Sequence, residues 1–196
     1  SARSQGEPMT GRFNLTTGAN FEHVVMGEDN QVLLMASDAG YGFITDFKDL
    51  VSKNKNGKAL VSVPKGGILL SPIRVNDVAT DYCMAISNEG RMLLFPLRDL
   101  PKLGKGKGNK IISIPGAKVQ AREEFVKVLA VVPQGSSVTL HAGKRKLTLK
   151  PSDLEHYHGE RGRRGNKLPR GLQRVDEAVV EFTPADEQSD DTLAEE

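Results

Sequence analysis

Two stretches of this chain interleave glycine with lysine or arginine in a pattern suited to holding phosphate. One runs Pro101-Lys-Leu-Gly-Lys-Gly-Lys-Gly-Asn-Lys110 and carries Lys102, Lys105, Lys107 and Lys110. The other runs Gly159-Glu-Arg-Gly-Arg-Arg-Gly-Asn-Lys-Leu168 and carries Arg161, Arg163, Arg164 and Lys167. Glycine lets a loop backbone come close to a phosphate and present its N–H groups, while Lys and Arg supply the countercharge. A weaker copy, Val51–Lys58, carries Lys53, Lys55 and Lys58, and the stretch Ala2–Gly11 is thinner still. Lys144, Arg145, Lys146 and Arg170 add cations in the same half of the chain. Contacts of this kind position a polyphosphate without reading base edges, so weak sequence specificity is expected.

Other chemistry for the same glycines fails on spacing. No stretch has the Gly-x4-Gly-Lys-Ser/Thr order of a P-loop, and Gly104-x-Gly106-x-Gly108 misses the dinucleotide spacing and follows no βαβ pattern. A disordered Arg-Gly segment for RNA is conceivable at Arg161–Gly165, yet that box is flanked by repeat positions and recurs as Gly104–Lys110. Exposed loops merely solvated by their lysines are the blander alternative, weakened by the recurrence. His156 and His158 stand two apart with no Cys or further ligand near them, so they are expected on the basic surface and not at a metal. His23 and His141 carry no signal. The one cysteine, Cys83, lies in the apolar run Tyr82–Ile86, reads as a small buried hydrophobe, and points to a reducing setting. No catalytic residue, metal site or cofactor is expected in this chain.

Charge is strongly segregated. Residues 1–100 hold 10 basic and 11 acidic side chains, residues 101–174 hold 17 and 5, and residues 175–196 hold 0 and 9. An excess of twelve positive charges over the middle block exceeds what solubility needs and implies a polyanionic partner. The acidic stretch from Thr183, with almost no apolar residue, is expected to be disordered; it reads either as a solubilising terminus or as a competitor for the basic block. No apolar run approaches the roughly 20 residues of a membrane span, and Ser1-Ala2-Arg3 carries neither signal sequence nor initiator methionine, as in a piece of a longer protein.

The elements that must position these boxes recur. Ala36-Ser-Asp-Ala-Gly40, Ile86-Ser-Asn-Glu-Gly90 and Leu140-His-Ala-Gly143 each lead, ten or eleven residues on, to an Asp-Leu pair at Asp49-Leu50, Asp99-Leu100 and Asp153-Leu154. Past those pairs, Gly57-Lys-Ala-Leu-Val-Ser-Val-Pro64 matches Gly108-Asn-Lys-Ile-Ile-Ser-Ile-Pro115, with Gly11–Gly18 and Gly165–Leu168 as looser copies. Four units follow, near 1–50, 51–100, 101–154 and 155–183, with 184–196 as the acidic tail. Short runs such as Gln31–Ala36, Asp81–Ile86, Val126–Val132 and Ser137–His141 predict strands, and the glycine turns between them predict hairpins. Lys144–Lys150 alternates and should show a basic outer face. Gln120–Leu129 is the best candidate for a short helix. The class is therefore all-β: about four four-stranded blades repeated radially like a propeller, its ring open or closed.

At this point the residues carry a family resemblance. GKGKGNKIISIP (Gly104–Pro115), AGKRKLTLKPSDL (Ala142–Leu154), GERGRRGNKLPRGLQRVD (Gly159–Asp176) and ASDAGYGF (Ala36–Phe43) closely resemble the C-terminal domain of the A subunit of bacterial topoisomerase IV, a type IIA topoisomerase, over nearly all of residues 1–183. The resemblance implies a β-pinwheel, typically five-bladed and often open, that binds the transported duplex and bends it during supercoil relaxation and decatenation. It implies two partners in a heterotetramer, the remainder of the A subunit together with the ATPase-bearing B subunit, with ATP and Mg needed only there. A cytoplasmic, nucleoid-associated setting is implied as well. Gyrase carries a fuller box, QRRGGKG, so weaker wrapping than gyrase is expected here. Strand cleavage in the family needs a tyrosine directly after an arginine; Tyr41, Tyr82 and Tyr157 follow Gly40, Asp81 and His156 and read as structural. The alternative from another class is a propeller that docks acidic proteins on its basic rim.

Overall fold

The computed structural model describes residues 31–48 and 61–182. Lys53, Lys55 and Lys58, the Ala2–Gly11 and Gly11–Gly18 stretches and the acidic tail lie outside the described residues.

Among the described residues, three antiparallel hairpins form the frame: β1 (Val32–Ser37) with β2 (Tyr41–Asp46), β4 (Tyr82–Ser87) with β5 (Arg91–Pro96), and β8 (Ser136–Ala142) with β9 (Arg145–Leu149). In the first two, the strands are short apolar runs that bury both faces, whereas β8 alternates buried and half-buried residues. In β4, Cys83 and Ala85 enter the core shared with the first sheet, whereas Met84 and Ile86 enter the core shared with the third. Leu93 and Phe95 of β5 likewise face one way and Met92 and Leu94 the other. A period of two with apolar residues on both sides is the mark of a strand in a sheet sandwiched between sheets, as in a propeller blade. Truncating the fully buried Phe95 to Ala would cost about 3–5 kcal/mol. Burial also pushes the Cys83 thiol well above its ordinary range, in keeping with an inert core side chain.

Each sheet is finished by strands from beyond its own hairpin. The orders are β3-β1-β2-β6, β10-β5-β4-β7 and β11-β8-β9, with β3 Ile73–Val75, β6 Asn109–Lys110, β7 Val126–Val132, β10 Asn166–Lys167 and β11 Glu177–Phe182. Thus β6, which follows the second hairpin in sequence, returns to pair with β2 of the first (Tyr41 with Lys110, Gly42 with Asn109). In the same way β10 follows the third hairpin and pairs with β5 of the second (Arg91 with Lys167, Met92 with Asn166). Residues 155–182 accordingly complete the second and third sheets and form no sheet of their own among the described residues. β9 carries no outer strand among the described residues, and its exposed Arg145 and Lys146 are the charges that blunt such an edge.

The helix expected over Gln120–Leu129 is not there. A short helix α1 spans Gly116–Gln120 and ends where that window begins, and Val126–Val132 is strand β7 along β4. The β-branched Val126, Val128, Val131 and Val132 fill a pleated surface better than a helix face, and cross-strand packing decided the matter. A second short helix, α2, spans Pro151–Leu154 and holds Asp153 and Leu154 of the repeat marker.

Candidate nucleic-acid interface

The two glycine boxes sit at equivalent places on neighbouring sheets. Each ends in a two-residue Asn-Lys strand, Asn109–Lys110 or Asn166–Lys167, that clips onto the start of a hairpin's second strand. The glycine before each strand is forced by packing. A Cβ on Gly108 would overlap the carbonyl of Gly42, and one on Gly165 would stand 2.5 Å from the carbonyl oxygen of Met92, with φ at +83° and +76° respectively. Only a residue without Cβ takes that backbone at that distance.

The boxes also touch each other. Counting Val51–Lys58 as the first box, Pro101–Lys110 as the second and Gly159–Leu168 as the third, the segment just past each of the first two bonds the box that follows: Ser62 N–H donates to the Gly106 carbonyl at 2.9 Å, and Ser113 N–H donates to the Arg163 carbonyl at 2.9 Å. Between the second and third boxes, Gly162 N–H donates to the Ile111 carbonyl at 2.9 Å and Arg161 Nη1 donates to the Lys110 carbonyl at 2.8 Å. Lys102, Lys105, Lys107, Lys110, Arg163 and Lys167 are exposed, with Arg161 half-buried among them. The cations of the two boxes thus meet where Arg161 lies on Lys110, at the junction of the first and second sheets.

Individual cations are held differently. Lys107 Nζ lies 4.5 Å over the ring of Tyr41, which opens β2. Lys102 pairs with Asp46 at 3.0 Å and Arg163 with Glu160 at 2.9 Å; both cations are well exposed, so neither pair is worth much to stability. Arg164 is different in kind. It donates to both oxygens of Glu124, 2.9 Å each, and to the Ser113 carbonyl at 2.6 Å; Glu124 has no solvent exposure. A buried carboxylate needs such a partner. A second pair runs from Arg122 to Asp38, at 3.2 and 2.8 Å, and those hydrogen bonds hold the guanidinium above its ordinary value.

Lys144, Arg145 and Lys146 form a further group at the turn of the third hairpin. Arg145 opens β9 as Tyr41 opens β2, and its guanidinium packs against Gly171, next to Arg170. This places the group at the sheet end where β6 and β10 join the other two sheets. His158 is exposed, yet it stands edge-on to Tyr82 with ring centroids 4.7 Å apart, and partial desolvation lowers its pKa, partly countered by Glu155. His156 is exposed.

Sequence reasoning missed three participants. Tyr41 supports Lys107, Lys65 joins Lys107 and Lys110 around a cleft of about 330 Å³, and Glu124 anchors a box arginine. Lys65 follows Pro64 as Gly116 follows Pro115, so the repeat alignment locates it but shows no charge there in the other copy. Among the described residues there is no group of three or more His, Cys, Asp or Glu that could hold a metal, and no helix long and apolar enough to cross a membrane.

Sandwiched sheets that exchange strands with their neighbours and carry a basic box at each exchange define a propeller of the β-pinwheel kind. The chain belongs to the DNA gyrase C-terminal domain, beta-propeller family, whose model matches residues 31–76 and 81–132. It is 56% identical over 186 residues to the A subunit of DNA topoisomerase 4 from Pseudomonas aeruginosa, covering 95% of this chain and 25% of that protein. Against the A subunit of DNA topoisomerase 4 from Escherichia coli K12 it is 51% identical over 181 residues, 92% of this chain and 24% of that protein. The chain thus spans about a quarter of the length of these relatives. Among solved structures, the E. coli ParC C-terminal domain superposes with a TM-score of 0.74 at 50% identity, over 81% of this chain and 64% of that one. The DNA gyrase A C-terminal domain superposes with a TM-score of 0.57 at 17% identity, over 79% and 49%, a likeness of fold alone.

Proposed function

We propose that this chain is the DNA-binding and DNA-bending domain from the A subunit of a topoisomerase IV, without catalytic residues of its own. It engages the duplex to be transported while the holoenzyme relaxes supercoils and separates linked chromosomes. The observation that carries this reading is the junction of the second and third boxes, where Arg161 and Gly162 lie directly on Lys110 and Ile111. Successive boxes in register give a polyphosphate one track to follow across two sheets. The proposed contacts are Lys102, Lys105, Lys107, Lys110, Arg161, Arg163 and Lys167, with Lys53, Lys55 and Lys58 continuing the series in sequence and Lys144, Arg145, Lys146 and Arg170 extending it on the third sheet. Arg164 supports the track through Glu124.

Bending a site of 20–30 base pairs by 40–90° costs on the order of 1–6 kcal/mol, which the phosphate contacts must offset. The proposed partners are the remainder of the A subunit together with the ATPase-bearing B subunit of the same enzyme, where ATP and Mg act. The proposed setting is the bacterial cytoplasm at the nucleoid. A propeller that docks acidic proteins is the less favoured reading, since the relatives are topoisomerase subunits.

Titration of a short duplex at several salt concentrations tests the proposal. Affinity should fall by about 0.9 log units per log unit of salt for each phosphate neutralised, equally for unrelated sequences. Arg161→Ala with Arg163→Ala should reduce both affinity and slope. A parent chain indifferent to duplex at low salt, yet bound by an acidic polypeptide, would overturn the assignment.

A further inference from the structure

We propose that the short strap Arg122–Glu124 sets the angle between neighbouring sheets and, through it, the curvature imposed on DNA along the rim; the second half of this rests on the DNA-binding reading above. The strap leaves α1 and enters β7, and within a few residues it is tied in three directions. Arg122 reaches the turn of the first hairpin, donating to Asp38 at 2.8 and 3.2 Å and to the Gly66 carbonyl at 3.0 Å. Two residues on, Glu124 accepts both arms of Arg164, in the box whose end strand β10 closes the second sheet. The turn of the second hairpin holds the middle. Asn88 Nδ2 donates to the Glu123 carbonyl at 3.0 Å, Phe125 N–H donates to Asn88 Oδ1 at 2.9 Å, and Asn88 N–H donates to the Phe125 carbonyl at 3.0 Å.

Opposite charges two residues apart therefore pull on opposite sheets. Both carboxylates are shielded from solvent, Asp38 at 4% and Glu124 at 0% side-chain exposure, so salt screens these ties little. The direction of pull is built into the backbone: Arg122 has φ 58°, a left-handed conformation rare for a residue with a side chain, and the ring of Phe125 lies 4.3 Å from its guanidinium. Arg122, Asp38 and Glu124 are positioning residues, acting on DNA only through the sheets they join.

The repeat supplies a clean variant. Asn88 stands fifty residues after Asp38 at the same place in its turn. Asp38 takes the Ile68 N–H at 2.7 Å just as Asn88 takes the Phe125 N–H, so what the acid adds is the charge opposite Arg122. Asp38→Asn keeps the turn and removes the charged tie.

The test measures duplex bend by end-to-end energy transfer with the protein saturating, beside affinity and unfolding midpoint. Asp38→Asn and Arg122→Gln should each lower the bend by on the order of 10° within the 40–90° span of protein-bent sites, the double variant should add nothing, and affinity should stay within about twofold of the parent. Val138→Ala, a core change in the third sheet, should lower the midpoint and leave the bend alone; this separates positioning from mere stability. Unchanged bend in folded Asp38→Asn and Arg122→Gln overturns the strap. Should the parent leave duplex straight, the function reading fails by itself. The strap is then decided without DNA by the distance between spin labels on Lys48→Cys and Ser152→Cys: a shift in Asp38→Asn supports it and an unchanged distance overturns it.

Discussion

Arg164 meets Glu124 fork to fork, 2.9 Å on each side, inside a box whose Arg163 and Lys167 face solvent. Position for position, Lys107 is its counterpart in the preceding box, since each precedes the glycine and the Asn-Lys strand. Lys107 rests on an aromatic ring at the surface, whereas Arg164 neutralises a carboxylate with no access to water. Equivalent residues of a repeat have thus divided into a surface cation and a structural one.

Arg164→Ala is expected to destabilise the fold by about 3–5 kcal/mol, because it strands Glu124 as an unpaired buried charge. Arg163→Ala, whose Glu160 partner is exposed, should stay within about 0.5 kcal/mol of the parent while weakening duplex binding. Denaturant unfolding of the two variants side by side checks the contrast. Equal midpoints would refute the division.

Gly108→Ala and Gly165→Ala should each lose well over the roughly 1 kcal/mol that a positive φ alone costs an alanine, since the new methyl also meets the carbonyl of the partner strand. Gly143→Ala, with a positive φ and nothing within 4 Å of the added atom, provides the comparison at about that lower cost. Thermal unfolding midpoints in that order would locate the strain at the box strands.

Tyr41→Phe should leave duplex affinity where it is, because the ring face under Lys107 survives. Tyr41→Leu should weaken binding about two- to fivefold, the worth of one exposed cation–π contact of 0.5–1 kcal/mol. The ratio of the two dissociation constants at one salt concentration is the readout. A Phe variant as weak as the Leu variant would assign the effect to the hydroxyl.

Stability should fall on mild acidification through His158. Its folded pKa lies below the ordinary imidazole value because burial disfavours the charged ring. The unfolded chain then binds the extra proton first, so the loss begins as pH drops past about 6.5 and stops below the folded value. Unfolding midpoints of the parent and of His158→Gln across pH 5 to 8 should differ in slope over that window, the variant being flatter.

Much of the fold was legible because hairpins are local. Short apolar runs at Val32–Ser37 and Tyr82–Ser87, each ended by a turn with glycine at Gly40 or Gly90, specify strand, turn and strand within fifteen residues. The boxes were legible from composition, and so was their recurrence. The exchange of strands was not. Asn109–Lys110 and Asn166–Lys167 are two-residue strands with no periodicity to detect, and their partners lie more than sixty residues away. Nor could charge alone tell Arg164 from Arg163, because the distinction is made by a glutamate forty residues earlier that the fold brings beside one of them.

Exchange of strands between neighbours has a consequence for how the chain is made. The first hairpin is complete at Asp46, but the chain that covers its outer edge begins only at Pro101, which bonds Ile44, and is finished by Asn109, which pairs with Gly42. At ribosomal rates of roughly 5–20 residues per second, the nascent hairpin waits on the order of seconds with β2 uncovered. During that interval it is open to pairing with a hairpin from an adjacent nascent chain on the same messenger, and slow translation of the Asp46–Asn109 interval would lengthen the exposure.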